Sequence, residues 1–271
     1  MEELKKKAET FRRSVPHKRL KEFPEIIYKD IVKDKPHKGL SNELYVTYII
    51  DCPRKVVLMK WLEDEGYEEV QEEYKKWYPY RGNVWDDYLS NLFENHGGHS
   101  QVSVMVIVPV TNEKGKPEDV ALIRGRIDAI YKENEQWKLV DFKTANEKKL
   151  FEGTHVTDKY VAQISFYSKI MNIEEFGLFF ATNAAPAYEK FTDESGVLRT
   201  YAYDKIVERA HEIYKAYKEG YLPSEKREES CNYCPFREVC HRLVSSTDPR
   251  AEVIKIVKEK LEPFGKFKKK E

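Results

Sequence analysis

Gly125-Arg126-Ile127-Asp128 and, twelve residues later, Asp141-Phe142-Lys143-Thr144 are the stretches whose reading decides the fold. Both alternate apolar and polar side chains, the period-two pattern of half-buried strands. Glu133, Asn134 and Glu135 lie between them as a turn, so the two strands are expected to form a hairpin. In the second strand Trp137, Leu139, Asp141 and Lys143 share one face. Asp128 can then meet Asp141 and Lys143 on the sheet. Two carboxylates and an amine at one point suit a divalent cation and an activated water. The alternative is a group of salt-bridged charges on an exposed sheet face.

Working outward, a strand over 102–110 and a turn at Pro117-Glu118-Asp119 lead into the hairpin's first strand, 120–131, and the second covers 137–143. Residues 146–156 read as a loop containing Gly153. A helix over 157–171 carries Tyr160, Gln163 and Tyr167 on one stripe. Phe176 to Thr182 is a short apolar strand. Tyr188–Thr192 and Thr200–Tyr203 read as a small hairpin, and 204–219 and 249–262 as helices. Upstream, Pro53 suits the first turn of a helix that follows Asp51-Cys52. Residues 67–78 read as helical, Tyr80-Arg81-Gly82-Asn83 as a break, and 83–95 as a helix ended by His96-Gly97-Gly98-His99. This order predicts an α/β fold: a mixed central sheet flanked by helices.

The bulk numbers set bounds on function. The chain has 271 residues, 41% hydrophobic and 35% charged, with 47 basic and 47 acidic side chains. That is a soluble globular composition with no global pull toward nucleic acid, so a nucleic-acid groove must be a local patch. No run approaches eighteen apolar residues and the N-terminus is charged throughout, which argues against a membrane partner and for a cytoplasmic protein. Three regions are expected. Residues 1–50 form a helical arm interrupted by Pro16, Pro24 and Pro36. Residues 51–228 form the core, and 229–271 a cysteine loop and C-terminal helix with a basic tail.

Three further groups carry chemistry. Asp86 lies in the first turns of the helix after Gly82; it can be a third metal ligand, or it can serve the helix dipole. Gln163 and Tyr167, at i and i+4, share a helix face just after the hairpin and can support a metal site or a phosphate; a partly buried amphipathic helix would look the same. Cys231, Cys234 and Cys240 lie in one loop and Cys52 far upstream. Three cysteines plus one suit an iron–sulfur cluster better than the two close pairs of a zinc ribbon, with structural zinc as the alternative.

Taken in order, these residues resemble the RecB-like branch of the PD-(D/E)XK nucleases, and most of all the CRISPR-associated iron–sulfur exonuclease, the fourth Cas family. The resemblance runs through Cys52, Gly82 to Asp86, Gly125-Arg126-Ile127-Asp128, Asp141-Phe142-Lys143, Gln163 to Tyr167, and Cys231, Cys234 and Cys240. Where the family carries His, this chain has Asp86, a carboxylate that still suits Mg²⁺ or Mn²⁺; Asp87, His96 and His99 are rival ligands. The resemblance implies a restriction-endonuclease-like core, a cysteine-bound [4Fe–4S] cluster, and a Mg²⁺- or Mn²⁺-dependent deoxyribonuclease that trims single-stranded DNA ends. Asp86, Asp128, Asp141 and the Phe142 carbonyl would hold metal. Asp128, Asp141, Lys143, Gln163 and Tyr167 would carry catalysis, and Arg81, Arg124 and Arg126 are candidates for DNA phosphates. Prespacer processing in CRISPR spacer acquisition or recombination, antiviral defence, integrase partners and a homo-oligomer are its biological implications. The rival class is a non-catalytic DNA-binding adaptor subunit.

Overall fold

The computed structural model describes residues 43–69, 73–111, 116–182, 185–223, 231, 234–237, 240–263 and 265–269, and for 73–81 the backbone alone. The chain divides into Met1–Lys38 and Gly39–Glu271, and all the described residues belong to the second unit. The arm expected over residues 1–50 lies outside the described residues up to residue 42.

The centre is a six-stranded mixed sheet. Strand β4 (Pro117–Glu133) is its spine. One edge of β4 pairs antiparallel with β3 (His99–Thr111), from Thr111↔Pro117 to His99↔Ile130. The other edge is shared. β1 (Glu43–Tyr45) takes Leu122 to Arg124 in parallel, and β5 (Gln136–Thr144) takes Ala129 to Glu133 antiparallel. Beyond β5 lie β6 (Glu175–Ala181), parallel to it, and β7 (Ala187–Thr192), antiparallel to β6. Asn134 and Glu135, both at positive φ, close the β4–β5 hairpin as a two-residue turn whose twist matches its strands. The predicted mixed sheet flanked by helices is thus the observed fold.

Helices cover both faces. Helix α1 (Val46–Ile49) leads into α2 (Pro53–Asp64), both packed into the main core, while α3 (Glu73–Asn95) covers one face with Leu89 and Phe93 against Ala129, Val140 and Phe142. On the other face α4 (Glu147–Phe151) is followed by α5 (Asp158–Met171) and α6 (Val197–Glu219), whose buried Ile164, Phe166, Ile206, Ala210 and Ile213 join Ile123, Ile127, Leu139 and Leu178 in the main core. The C-terminal part returns to α2. α7 (Cys240–Val244) and α8 (Pro249–Ile256), prolonged by a π turn over Val257–Leu261, end at β8 (Phe267–Lys269), which pairs antiparallel with β2 (Tyr67–Glu69). Trp61 Nε1 donates to the Tyr217 carbonyl at 3.0 Å and Arg54 Nε to the Pro223 carbonyl at 2.7 Å, which fastens α2 to α6 and to the segment after it.

Five local expectations are corrected. The turn expected at Pro117-Glu118-Asp119 is already the start of β4, paired with β3 through Val110↔Asp119. Helix α3 runs without interruption through the break expected at Tyr80–Asn83. Residues 67–69 are a strand rather than helix, because β8 supplies their ladder from the far end of the chain. The loop expected over 146–156 begins with α4, since the Asn146 side chain accepts the Lys148 N–H at 2.9 Å and caps it. Thr200–Tyr203 are helical rather than half of a hairpin: Asp193 accepts the Arg199 N–H at 2.8 Å, which satisfies a first-turn donor of α6.

Candidate active site

Between Arg124, the last partner of β1, and Ala129, the first partner of β5, one edge of β4 is left without a strand. The four residues in that gap are Gly125, Arg126, Ile127 and Asp128. Buried backbone donors and acceptors must still be satisfied, and side chains do this here. The Asp128 carboxylate accepts the Phe142 N–H at 2.7 Å, where the β4–β5 ladder would have continued. Tyr167 of α5 fills the upper part of the gap, and its oxygen receives a backbone hydrogen bond from Arg126. Its ring lies so close to Gly125 that a Cβ there would fall 2.7 Å from the phenol oxygen. Only glycine lets α5 approach the strand this closely.

The gap also shifts the phase of β4. Ile127 and Ile130 join the main core while Ala129 joins the cluster under α3. Opposite Asp128, Gln101 of β3 takes φ +53 and pairs with no residue of the ladder. Strand pairing gives way here, and side chains of β4, β5 and α3 meet.

Asp141 is 1% exposed, and among the described residues only Lys143 reaches its carboxylate, as an ion pair. Lys143 also donates to Gln163 Oε1 at 3.4 Å, and its ammonium lies 5.1 Å from the centroid of the Tyr160 ring. Gln163 Nε2 in turn donates to the Tyr167 hydroxyl at 3.5 Å. The chain Asp141, Lys143, Gln163, Tyr167 therefore links β5 to α5. The Thr157 hydroxyl fixes the start of α5 by accepting the Tyr160 N–H at 3.3 Å, and Asn172 in the left-handed region ends it.

Asp86 reaches the same place from α3. Its carboxylate accepts from Gln101 Nε2 at 3.1 Å and pairs with Arg126 at 3.4 Å. Burial pushes the Asp86 carboxyl up, the Asp87 and Asp141 charges add to this, and Arg126 and Gln101 oppose it without cancelling it. Burial likewise drives Asp128 well above the usual carboxylate range; Asp141 and Asp86 raise it further, against Lys143 and the Phe142 N–H. Burial pulls Lys143 down, but Asp141 and Asp128 more than compensate, so its amine is held above the ordinary lysine value and stays an ammonium. Tyr167 is pushed up by burial to about 12 and remains a neutral phenol.

Of the sequence-predicted residues, the structure thus gathers Asp86, Asp128, Asp141, Lys143, Gln163 and Tyr167. Phe142 is present through its N–H, and its ring packs against those of Phe93 and Phe179. Arg126 touches Asp86, Arg124 pairs with Glu43 of β1 at 2.6 Å, and the Arg81 side chain lies outside the described residues. Among the rival ligands, Asp87 and His96 are exposed and His99 stacks near Trp137 at the other end of β5. Sequence reasoning missed Gln101, Glu43 and Tyr160. The first two were hidden because their partners are set by β3 and β1 pairing; Tyr160 was visible on the α5 stripe but without a role.

Among the described residues, no three His, Cys, Asp or Glu side chains are already closed around a metal position. The donor set nonetheless fits a hard cation. Apart from Lys143, no described donor satisfies the buried Asp141 carboxylate, and three mutually repelling carboxylates supply the oxygen ligands that Mg²⁺ and Mn²⁺ prefer.

Cys234 has Cys52 and Cys240 as neighbours from distant parts of the chain. Cys52 precedes α2, Cys240 opens α7, and Arg54 Nη1 lies 3.9 Å from the Cys240 sulfur. Cys234 senses both the Cys52 and Cys240 thiols, and its N–H donates to the Cys231 carbonyl at 3.3 Å. Burial is the main force that raises the Cys234 thiol, with Lys55 opposing it. None of the four is in a disulfide, and all are half-buried.

A mixed sheet that presents two carboxylates and a lysine where its strands part, faced by a third carboxylate from a helix, defines a class of phosphodiester-cleaving folds. The chain belongs to the PD-(D/E)XK nuclease superfamily, whose family model matches residues 51–241. Enzymes of this superfamily generally use divalent metal ions such as Mg²⁺ or Mn²⁺. Among solved structures, the chain is similar to the crystal structure of SSO0001, with 21% identity, 80% of this chain and 94% of that chain covered, and a TM-score of 0.57. A weaker likeness, with a TM-score of 0.40 and 8% identity over 66% of this chain and 91% of that one, is to an alkaline exonuclease (LHK-Exo) from Laribacter hongkongensis. No curated protein sequence matches the chain. Among the described residues no helix is long and apolar enough to cross a membrane.

Proposed function

We propose that the protein is a Mg²⁺- or Mn²⁺-dependent deoxyribonuclease that trims the ends of single-stranded DNA. The observation that carries this reading is the buried Asp141 carboxylate, unsatisfied except by Lys143 and facing Asp128 and Asp86. Asp86, Asp128, Asp141 and the Phe142 carbonyl would hold the cation. When bound, it supplies positive charge that acidifies a water and offsets charge on the phosphate. Lys143, held as an ammonium, donates hydrogen bonds to the attacking water or the phosphate oxygens rather than accepting a proton. Gln163 and Tyr160 fix its direction, and Tyr167 holds α5 against the strand gap. Arg126 and Arg124 line the approach as phosphate contacts.

Cleavage of a labelled single strand with Mg²⁺ or Mn²⁺ tests the proposal. Wild type should shorten it from an end, and Lys143→Ala and Asp128→Ala should not. A wild type that leaves the strand intact with either ion contradicts the reading.

We further propose that Cys52, Cys231, Cys234 and Cys240 bind a [4Fe–4S] cluster. Support comes from the approach of thiols from both ends of the core and from the neighbouring Arg54 and Lys55, whose charges favour thiolates. Purified protein should be brown and contain iron and sulfide; colourless protein with one zinc would contradict it. The cellular setting we propose, prespacer trimming beside CRISPR integrase proteins in the cytoplasm, is drawn from the family resemblance.

A further inference from the structure

The face of the β3–β4 hairpin that leads away from the carboxylates is not buried, and beyond its arginines it is apolar. In register, Ser103 lies opposite Arg126, Met105 opposite Arg124, Ile107 opposite Leu122 and Pro109 opposite Val120. Met105 is 55% and Ile107 59% exposed, and Val120 38%. Single exposed apolar side chains need no explanation, but a contiguous ladder of them does. This one begins at the site: Arg126 bonds to Asp86, whose charge acts on both Asp128 and Asp141. Going outward along β4, residues that share this face are about 7 Å apart, so guanidinium groups come first and apolar side chains next.

We infer that this face is the track of the substrate strand, with Arg126 and Arg124 on its phosphates and Met105, Ile107, Leu122 and Val120 against its bases. The inference rests on the nuclease reading of the adjacent site and adds residues that the reading does not need. A single strand requires two surfaces side by side, cationic for its backbone and apolar for base faces that have lost their stacking partners. Met and Ile are among the side chains proteins place against unstacked bases. The arginines are suited as well. Each is anchored by one carboxylate, Glu43 or Asp86, yet a guanidinium has five N–H donors, and both side chains stay half-exposed. Charge complementarity and continuity with the carboxylate cluster favour nucleic acid over a second copy of the chain. So few side chains also fall short of the ~800 Å² per partner that a stable dimer buries.

The test is the affinity of a fluorescently labelled single strand of about twelve nucleotides, read by anisotropy in EDTA so that cleavage plays no part. Met105→Thr/Ile107→Thr places strand-favouring β-branched residues at both positions and should weaken binding about tenfold, corresponding to loss of one base contact. Met105→Trp enlarges the apolar surface and should tighten binding about fivefold. Unchanged affinity in both variants overturns the inference, as does a wild type that binds no strand. If the double variant changes the sedimenting mass while affinity is kept, the face is a contact between copies and the inference also fails. Failure of the nuclease reading shows up separately, as binding without metal-dependent cleavage.

Discussion

Two buried aspartates in this molecule are treated in opposite ways. Asp193, 8% exposed ahead of α6, accepts the Arg199 N–H at 2.8 Å and the Ser195 hydroxyl at 3.0 Å, and pairs with the Arg199 guanidinium at 3.5 Å. The same guanidinium donates to the Ile173 carbonyl at 3.3 Å and to the Asp193 carbonyl at 3.0 Å. Burial alone would raise this carboxyl, but its hydrogen bonds and Arg199 hold it below its ordinary value. Asp141, still more deeply buried, has Lys143 and two other carboxylates for neighbours. One site is closed on itself and contributes to stability. The other is left electrostatically incomplete within the chain, as expected where a cation and a phosphate are to be received.

The largest expected effect separates the two in activity. Lys143→Ala should lower cleavage about a thousandfold with the melting temperature within a few degrees of wild type, whereas Asp193→Ala should leave kcat intact at low temperature. A comparable activity loss in both would erase the distinction.

In stability the order reverses. Asp193→Ala leaves Arg199 buried without its carboxylate and should cost about 3 kcal/mol, measured by urea unfolding. The pH dependence follows from its depressed folded pKa. The contribution of Asp193 is complete above the ordinary carboxylate value and is lost as pH falls through the lower folded value. Asp193→Asn should therefore flatten the acid limb of stability against pH.

Asp128 carries the opposite sign. Its folded pKa is raised, so its contribution is favourable below the ordinary value and is withdrawn as pH rises through the folded one. At neutral pH its ionised form is a cost. Asp128→Asn keeps an acceptor for the Phe142 N–H and should raise the melting temperature by about 2–4 °C while abolishing cleavage. A lower melting temperature would mean that the carboxylate cluster is not under mutual repulsion.

The smallest effect concerns Tyr160. Tyr160→Phe should match wild type, and Tyr160→Leu, which removes the ring under Lys143, should lower kcat about threefold at unchanged KM. If Phe and Leu behave alike, the ring does not position the lysine.

The carboxylate side of this contrast was legible in the sequence, for a physical reason, and the Asp193 side was not. The β4–β5 hairpin is local, so a period-two pattern and a turn at Asn134 and Glu135 are enough to set Asp128 across from Asp141. The α5 stripe is equally local and delivers Gln163 and Tyr167 together. What was hidden depends on distant pairing. The empty edge over Gly125–Asp128 exists only because β1 and β5 divide β4 between them, and Gln101 reaches Asp86 only through the irregular β3 register. Thr and Tyr favour strands, yet Thr200–Tyr203 are helical, downstream of an Arg199 N–H that the Asp193 carboxylate accepts.

The central claim is that the incomplete cluster is a cation site, and Mn²⁺ binding measured by electron paramagnetic resonance tests it most directly. Wild type and Asp193→Asn should bind Mn²⁺ alike, and Asp128→Asn/Asp141→Asn should lose that binding. A double variant that binds Mn²⁺ as wild type does would contradict the account.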